Sequence, residues 1–179
     1  MMRIVAGTYR HRKIDYPKNQ VTRPTMDKVR EALMSSIGIN INGRVVLDLF
    51  AGSGAMGIES LSRGAKVCYF VDNDKEAIKT INSNLKSLSV KEETHVELCS
   101  YQNFLERNKD KKFSLVFLDP PYAKKEIYEE VMLFLKENDM LTSDAIVVKE
   151  ADIEMKEDDY FSSYRHYRYG MIHVNIYWR

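Results

Sequence analysis

Val45-Val46-Leu47-Asp48-Leu49-Phe50-Ala51-Gly52-Ser53-Gly54-Ala55-Met56-Gly57-Ile58-Glu59 reads as a strand, a tight glycine turn and a helix. Val45 to Leu49 is almost wholly apolar, which suits a strand covered on both faces in a parallel sheet. Gly52 and Gly54 let the backbone turn sharply and approach a ligand closely, because no Cβ intervenes. The helix that follows aims its unpaired N–H groups back at the same point. A nucleotide-like molecule is expected there.

Two ligand classes compete for such a loop. The spacing Gly52, Gly54, Gly57 satisfies the dinucleotide fingerprint, and Asp72 stands 20 residues after Gly52, so a nicotinamide enzyme is one reading. Asp48 argues against it. A carboxylate at the strand's end repels a pyrophosphate and attracts a cation, and S-adenosylmethionine carries a sulfonium and an amino group but no phosphate. The plainer reading of Asp48 is a loop residue that bonds neighbouring backbone.

The chain of 179 residues, 44% hydrophobic and 30% charged, has room for one substantial core, so a single domain over 1–179 is expected. No apolar run approaches the ~20 residues of a membrane span, and Met1-Met2-Arg3-Ile4-Val5 lacks a signal-peptide core, so a cytoplasmic protein is expected. Cys68 and Cys99 lie in apolar segments without metal-ligand spacing, which reads as two reduced core residues and no metal. The net charge of +1 is uneven: residues 1–30 hold eight basic side chains against Asp15 and Asp27. Such clustering suits a polyanion, since Lys and Arg release counterions from phosphates. A solvated basic face remains the alternative.

Arg3–Tyr9 and Arg12–Tyr16 read as a hairpin appendage within residues 1–20, with Arg10 and His11 near its turn and tyrosines interleaved on an exposed basic face. Thr25 is expected to cap a helix carrying Val29, Ala32, Leu33 and Ile37, which places Arg23 between hairpin and helix as a phosphate-contact candidate. Helices are expected at 55–62, 75–88 and 102–108, with a fourth marked by Ile127, Val131, Phe134 and Leu135. Strands are expected at 66–71, 94–99, 113–118 and 145–149. Asp72, at a strand's carboxyl end, is placed to accept both hydroxyls of a ribose. Asp74 caps the next helix, and Ser100 and Tyr101 sit level with an adenine. Residues 150–159 form an acidic loop expected to be solvated. Arg165–Tyr169 and Ile172–Trp178 read as an antiparallel edge hairpin, with Trp178 in the core.

Asp119-Pro120-Pro121-Tyr122 follows the apolar strand 113–118. The exocyclic amine of a nucleobase is a poor nucleophile, because its lone pair is delocalised into the ring. A carboxylate and a backbone carbonyl that each accept one N–H bond can hold the nitrogen with its lone pair aimed at a methyl group. Proline has no N–H and fixes φ, which keeps the Asp119 and Pro120 carbonyls in place. Tyr122 can stack on a base drawn out of its helix, and the gain is chiefly alignment. A rigid strand-ending turn is the alternative.

Taken together, Asp48 to Gly54, Asp72 and Asp119 to Tyr122 resemble an amino-directed, S-adenosylmethionine-dependent methyltransferase. Arg3-Ile4-Val5-Ala6-Gly7-Thr8-Tyr9-Arg10 with Arg12-Lys13, Arg23 to Glu31, and Leu61-Ser62-Arg63-Gly64-Ala65 more narrowly resemble the bacterial 16S rRNA guanine-N2 methyltransferases of the RsmD family. The resemblance covers nearly the whole chain. It implies an α/β, Rossmann-like, seven-stranded class I methyltransferase sheet with an antiparallel last hairpin. It also implies N2 methylation of a guanine in small-subunit rRNA, in an assembled or assembling particle. Asp119, Pro120, Pro121 and Tyr122 would be catalytic. The cofactor would be met by Asp48, Phe50, Ala51, Gly52, Ser53, Gly54, Asp72, Asn73, Ser100 and Tyr101, and RNA by Arg3, Arg10, Arg12, Lys13 and Arg23. Two positions depart from the family pattern. His11 stands where glycine is usual, and Ser100 where many methyltransferases place an aspartate. The competing functions are DNA adenine-N6 or protein-glutamine methylation, a nicotinamide oxidoreductase, and an RNA-binding assembly factor without transfer activity.

Overall fold

The computed structural model describes residues 1–18, 24–120, 126–151 and 157–179, with residues 24–28 and 39 described by their backbone alone. A two-stranded ribbon, β1 (Met2–Arg3) and β2 (Lys13–Ile14), leads to α1 (Pro24–Ile37). There follow β3 (Val45–Asp48), α2 (Ala55–Ser62), β4 (Val67–Asp72), α3 (Lys75–Leu88), β5 (Glu93–Leu98) and α4 (Tyr101–Arg107). The remainder is β6 (Phe113–Leu118), α5 (Glu126–Glu137), β7 (Leu141–Ala151), β8 (Ser163–Tyr169) and β9 (Ile172–Trp178).

Strands β3 to β9 form one sheet in the order β5-β4-β3-β6-β7-β9-β8. Five of them are parallel, and β9 runs antiparallel to both β7 and β8. The chain moves outward from β3 to β5, then returns to place β6 on the other side of β3. That reversal opens a crevice beyond the carboxyl ends of β3 and β6, where doubly wound sheets hold their ligands.

Alternation along the strands feeds two cores. Val46, Phe70, Leu115, Phe117, Ile146 and Ile176 face one side with α1, α2 and α3. Leu47, Val71, Val116, Leu118, Val147 and Tyr177 face the other with α4 and α5. All six residues of β6 are buried, as a central strand requires, whereas β5 at the edge contains no buried residue.

The first residues are docked more deeply than an appendage would be. Met2, Ile4, Tyr9 and Ile14 belong to the first core. Glu59 of α2, fully buried, accepts the N–H groups of Val5 (2.9 Å) and Ala6 (3.1 Å) and pairs with Arg63 (3.0 Å). Gly7, at φ +83°, lies so close to the end of α2 that a Cβ would stand 1.7 Å from the Ser62 carbonyl oxygen. The ribbon strands are two residues each, far shorter than the spans expected, because contacts to α2 fix this segment in place of a ladder. Tyr9 is buried and its hydroxyl donates to Glu92, so it does not belong to an exposed aromatic face.

Four smaller expectations are corrected. Helix α1 begins at Pro24, which places Thr25 inside its first turn. Strand β7 starts at Leu141, since Leu141 is buried and pairs with Phe113 ahead of an irregularity, after which Ile146 meets Leu115. Asp158 is not simply solvated, because both its carboxylate oxygens accept from Lys136 Nζ (2.7 and 2.5 Å). Trp178 and Cys99 are half-buried, unlike the fully enclosed Tyr177 and Cys68. No helix among the described residues is long and apolar enough to cross a membrane.

Candidate active site at the sheet's switch point

Asp48 ends β3 with its side chain buried, and its Oδ2 accepts the Gly57 N–H at 3.1 Å. The reason lies in α2. Its N-cap is Gly54 in the left-handed region (φ 76°), which has no side chain to offer the first turn, so the strand supplies the acceptor instead. Gly57 keeps the helix against β4: a Cβ there would meet the Phe70 ring at 2.2 Å and Cys68 Sγ at 2.6 Å. Burial pushes the Asp48 carboxyl up to about 7, the Gly57 bond opposes this, and the nearby Asp72 charge adds to it.

Asp72 ends β4 and folds back on the glycine turn. Its Oδ2 accepts the Gly52 N–H (2.8 Å) and its Oδ1 the Asp74 N–H (2.9 Å), so the loop and the carboxylate set each other's positions. Ala51, Ser53 and Gly54 are buried, Phe50 and Gly52 are half-exposed, and Asn73 is open to solvent. Asp74 caps α3 by accepting from the Glu76 N–H (2.8 Å), as expected. Ser100 caps α4 through the Asn103 N–H (3.2 Å). Tyr101 packs its ring 5.5 Å from that of Phe50, and its hydroxyl donates to Glu130 (2.7 Å); burial and then Glu130 push its pKa up to about 12. The two rings offer an apolar wall beside the glycine loop.

Asp119 stands just beyond β6, in the crevice and open to solvent. Surrounding protein, then Glu150, then Asp48 raise its pKa well above the ordinary carboxylate range. Leu118 pairs with Lys149 across β6 and β7, which brings the Glu150 carboxylate alongside. Pro120 is buried and, with Phe50, Leu118, Ile127 and Tyr128, lines a small apolar recess. Tyr128 of α5 donates its hydroxyl to the Glu150 carbonyl, tying that helix to the end of β7. Pro121 and Tyr122 lie outside the described residues, as does Arg23.

Candidates from three strands therefore converge on one crevice: Asp48 with the glycine turn, Asp72, and Asp119 with Pro120. Their charge is carboxylate, which suits a ligand with cationic centres and opposes a pyrophosphate. The basic candidates are not part of this cluster. Arg3, Arg10, Arg12 and Lys13 are exposed. Arg12 donates to the Ser87 carbonyl (2.7 Å) near the end of α3, and the adjoining Thr8 N–H donates to Ser62 at the end of α2 (2.8 Å). Both helix ends lie toward the sheet edge opposite the crevice, where Gly43 and Gly64 also bond (2.8 Å).

Glu150 and Asn84 belong to the site or its support and carry no local signal in the sequence. Asn84, buried in α3, exchanges bonds with the Asp15 backbone (2.8 and 3.0 Å) and donates to the Ser53 carbonyl (3.1 Å). It thereby joins the N-terminal segment to the glycine turn.

The family described as Conserved hypothetical protein 95 matches residues 2–178. YlbH of Bacillus subtilis, named provisionally as an rRNA methyltransferase, is 37% identical over 185 residues, 98% of each chain. Ribosomal RNA small subunit methyltransferase D of Escherichia coli is 33% identical over 153 residues, 86% of this chain and 76% of that one. Among solved structures, YhhF of Escherichia coli, named provisionally as a methyltransferase, superposes with a TM-score of 0.88 at 31% identity, over 99% of this chain and 97% of that one. The T. thermophilus 16S rRNA N2 G1207 methyltransferase, solved with AdoMet and guanosine, shares the fold at 17% identity and a TM-score of 0.69, over 90% of this chain and 44% of that one.

Proposed function

The chain belongs to the Conserved hypothetical protein 95, or RsmD, family, and from that premise we propose that it is an S-adenosylmethionine-dependent rRNA methyltransferase acting on the exocyclic N2 amine of a guanine in small-subunit rRNA. The relatives' names support rRNA as the substrate, and an assembled or assembling subunit is the context in which the substrate would be met. The observation that carries the reading is the placement of Asp119 and Pro120 across the switch point from Asp48, Asp72 and the glycine turn.

The donor set fits the cofactor. Asp48 and the glycine turn would hold its methionine end, Asp72 and Asn73 its ribose, and Phe50, Ser100 and Tyr101 its adenine side. When bound, it supplies an electrophilic methyl group on a sulfonium. The chain's own part is orientation. The Asp119 carboxylate and the Pro120 carbonyl each accept one N–H of the amine and turn its lone pair toward the methyl. Pro121 and Tyr122 complete the proposed catalytic set, Tyr122 by stacking on the guanine. Arg3, Arg10, Arg12, Lys13 and Arg23 contact RNA backbone. A nicotinamide cofactor would bring its pyrophosphate to the glycine turn beside Asp48, which disfavours the oxidoreductase alternative.

Asp119→Ala tests the assignment. Transfer to small-subunit RNA is expected to fall ~100-fold or more, as loss of alignment does, while S-adenosylmethionine binding by calorimetry stays largely intact. Equal loss of both would contradict the role given to Asp119.

A further inference from the structure

The C-terminal stretch Ser163–Arg179 contains Arg165, Arg168, Arg179, His166 and His173, five aromatic side chains of Tyr and Trp, and no Asp or Glu. It stands out in a chain whose residues beyond 30 are acidic on balance. Strand β8 is the sheet edge. Because Ala151 lies opposite His173, β9 begins where β7 ends, so the Gly170–Met171 turn projects from the same edge as Asp48, Asp72 and Asp119. Strand β9 is two places from β6, roughly 10 Å at a ~4.8 Å strand spacing.

The two faces of this hairpin carry parallel rings. Tyr167 and Tyr169, half-buried against the first core and each leaving part of its ring open, stack at 6.4 Å with an interplanar angle of 17°, on the same face as Arg165. His166 and His173 stack at 5.0 Å and 9° on the other, with Arg168 beside them. Arg165 and Arg168 are exposed, and neither pairs with a carboxylate among the described residues; Arg168 donates from Nε to the Gly170 carbonyl (3.0 Å). Met171 at the tip is 83% exposed. Arg165 lies over the Trp178 ring, 5.8 Å from its centroid. Ring pairs beside exposed guanidinium groups that no carboxylate among the described residues neutralises suit single-stranded or splayed nucleic acid, whose bases stack and whose phosphates pair with arginine.

We propose that the β8–β9 hairpin is an RNA-contacting rim of the crevice, with Arg165 and Arg168 on phosphates and the Tyr167–Tyr169 pair against bases flanking the target. The inference rests on the rRNA methyltransferase reading above. It also adds a basic surface on the crevice side of the sheet, since among the described residues Arg10 and Arg12 lie toward the opposite edge.

The test compares the wild-type protein with an Arg165→Ala, Arg168→Ala double variant for binding to small-subunit rRNA transcribed in vitro, across a salt series. S-adenosylmethionine affinity is measured on both. The expected result is unchanged cofactor affinity, RNA affinity lower by roughly 10-fold or more, and a salt slope shallower by about one to two. Unchanged RNA affinity and slope would overturn the proposal. Should the variant lose cofactor binding, 4-thiouridine crosslinking of the wild-type protein decides: adducts within residues 163–173 are expected, and adducts confined to other segments overturn it. A wild-type protein that binds cofactor but no small-subunit RNA at any salt would refute the function itself. Loss confined to the variant would leave that function standing.

Discussion

On the proposed function, Asp48 is an acid held in the wrong state for its task until its ligand arrives. Burial raises its pKa from 3.8 to about 7, so the folded chain favours the protonated form. A raised carboxyl contributes stability at low pH and loses it as pH climbs from the unfolded value toward the folded one. The free protein should therefore lose stability between about pH 4 and 7, and Asp48→Asn should flatten that dependence in thermal melts, because the amide oxygen can still accept from Gly57. The same variant should weaken S-adenosylmethionine binding, and in the wild type the affinity should rise with pH up to about 7. A flat affinity profile between pH 6 and 8 would count against Asp48 as the cation's partner. The sequence places Asp48 at the strand's end and leaves open whether it bonds backbone or meets a cation. The Gly57 bond joins residues whose proximity depends on the turn of Gly52 and Gly54, so only the fold reveals it. His11 is a second case. It occupies φ 69°, a left-handed conformation that costs a side chain about 1–2 kcal/mol, a cost that glycine would not meet. His11→Gly should raise stability by up to ~1 kcal/mol in denaturant titrations, and a destabilised variant would show that the imidazole makes compensating contacts.

At the scale of elements, contact distances separate two glycines with different consequences. Gly57→Ala drives a methyl into Phe70 and Cys68 within the core, so it should cost ~1–3 kcal/mol by overpacking and weaken cofactor binding together with stability. Gly7→Ala collides with the Ser62 carbonyl at the surface of α2. It should release the N-terminal segment and reduce RNA binding while the cofactor crevice persists, which limited proteolysis and calorimetry can distinguish. The boundaries of α2, α3 and β6 are legible in the sequence. Gly52, Gly54 and Gly64 punctuate α2, Asp74 caps α3, and β6 is a continuous apolar run. The N-terminal segment is legible only as a pair of β-rich stretches, because Glu59 and Ser62 hold it and neither residue advertises that role. Strand β7 is longer than its apolar core suggests, since Leu141 pairs with Phe113 ahead of an irregularity and the regular register resumes only at Ile146, opposite Leu115.

For the whole molecule, the order β5-β4-β3-β6-β7-β9-β8 separates tasks across one sheet. The half containing β3, β4 and β5 presents the glycine turn and Asp72. The half containing β6, β7 and β9 presents Asp119, Glu150 and the basic hairpin, so on the proposed function the donor side and the acceptor side meet at the β3–β6 boundary. Cofactor binding across that boundary should stabilise the fold by about 2.7 kcal/mol at a hundredfold excess over Kd. The measurement that bears most directly on the account is transfer of a radiolabelled methyl group from S-adenosylmethionine to small ribosomal subunits lacking this modification. Naked rRNA, DNA and bulk protein run alongside, and the label is mapped to its atom. The account predicts label on a guanine N2 of the subunit RNA, lost in Asp119→Ala. Label on adenine N6 or on a protein amide, or no label from a protein that demonstrably binds the cofactor, would contradict it.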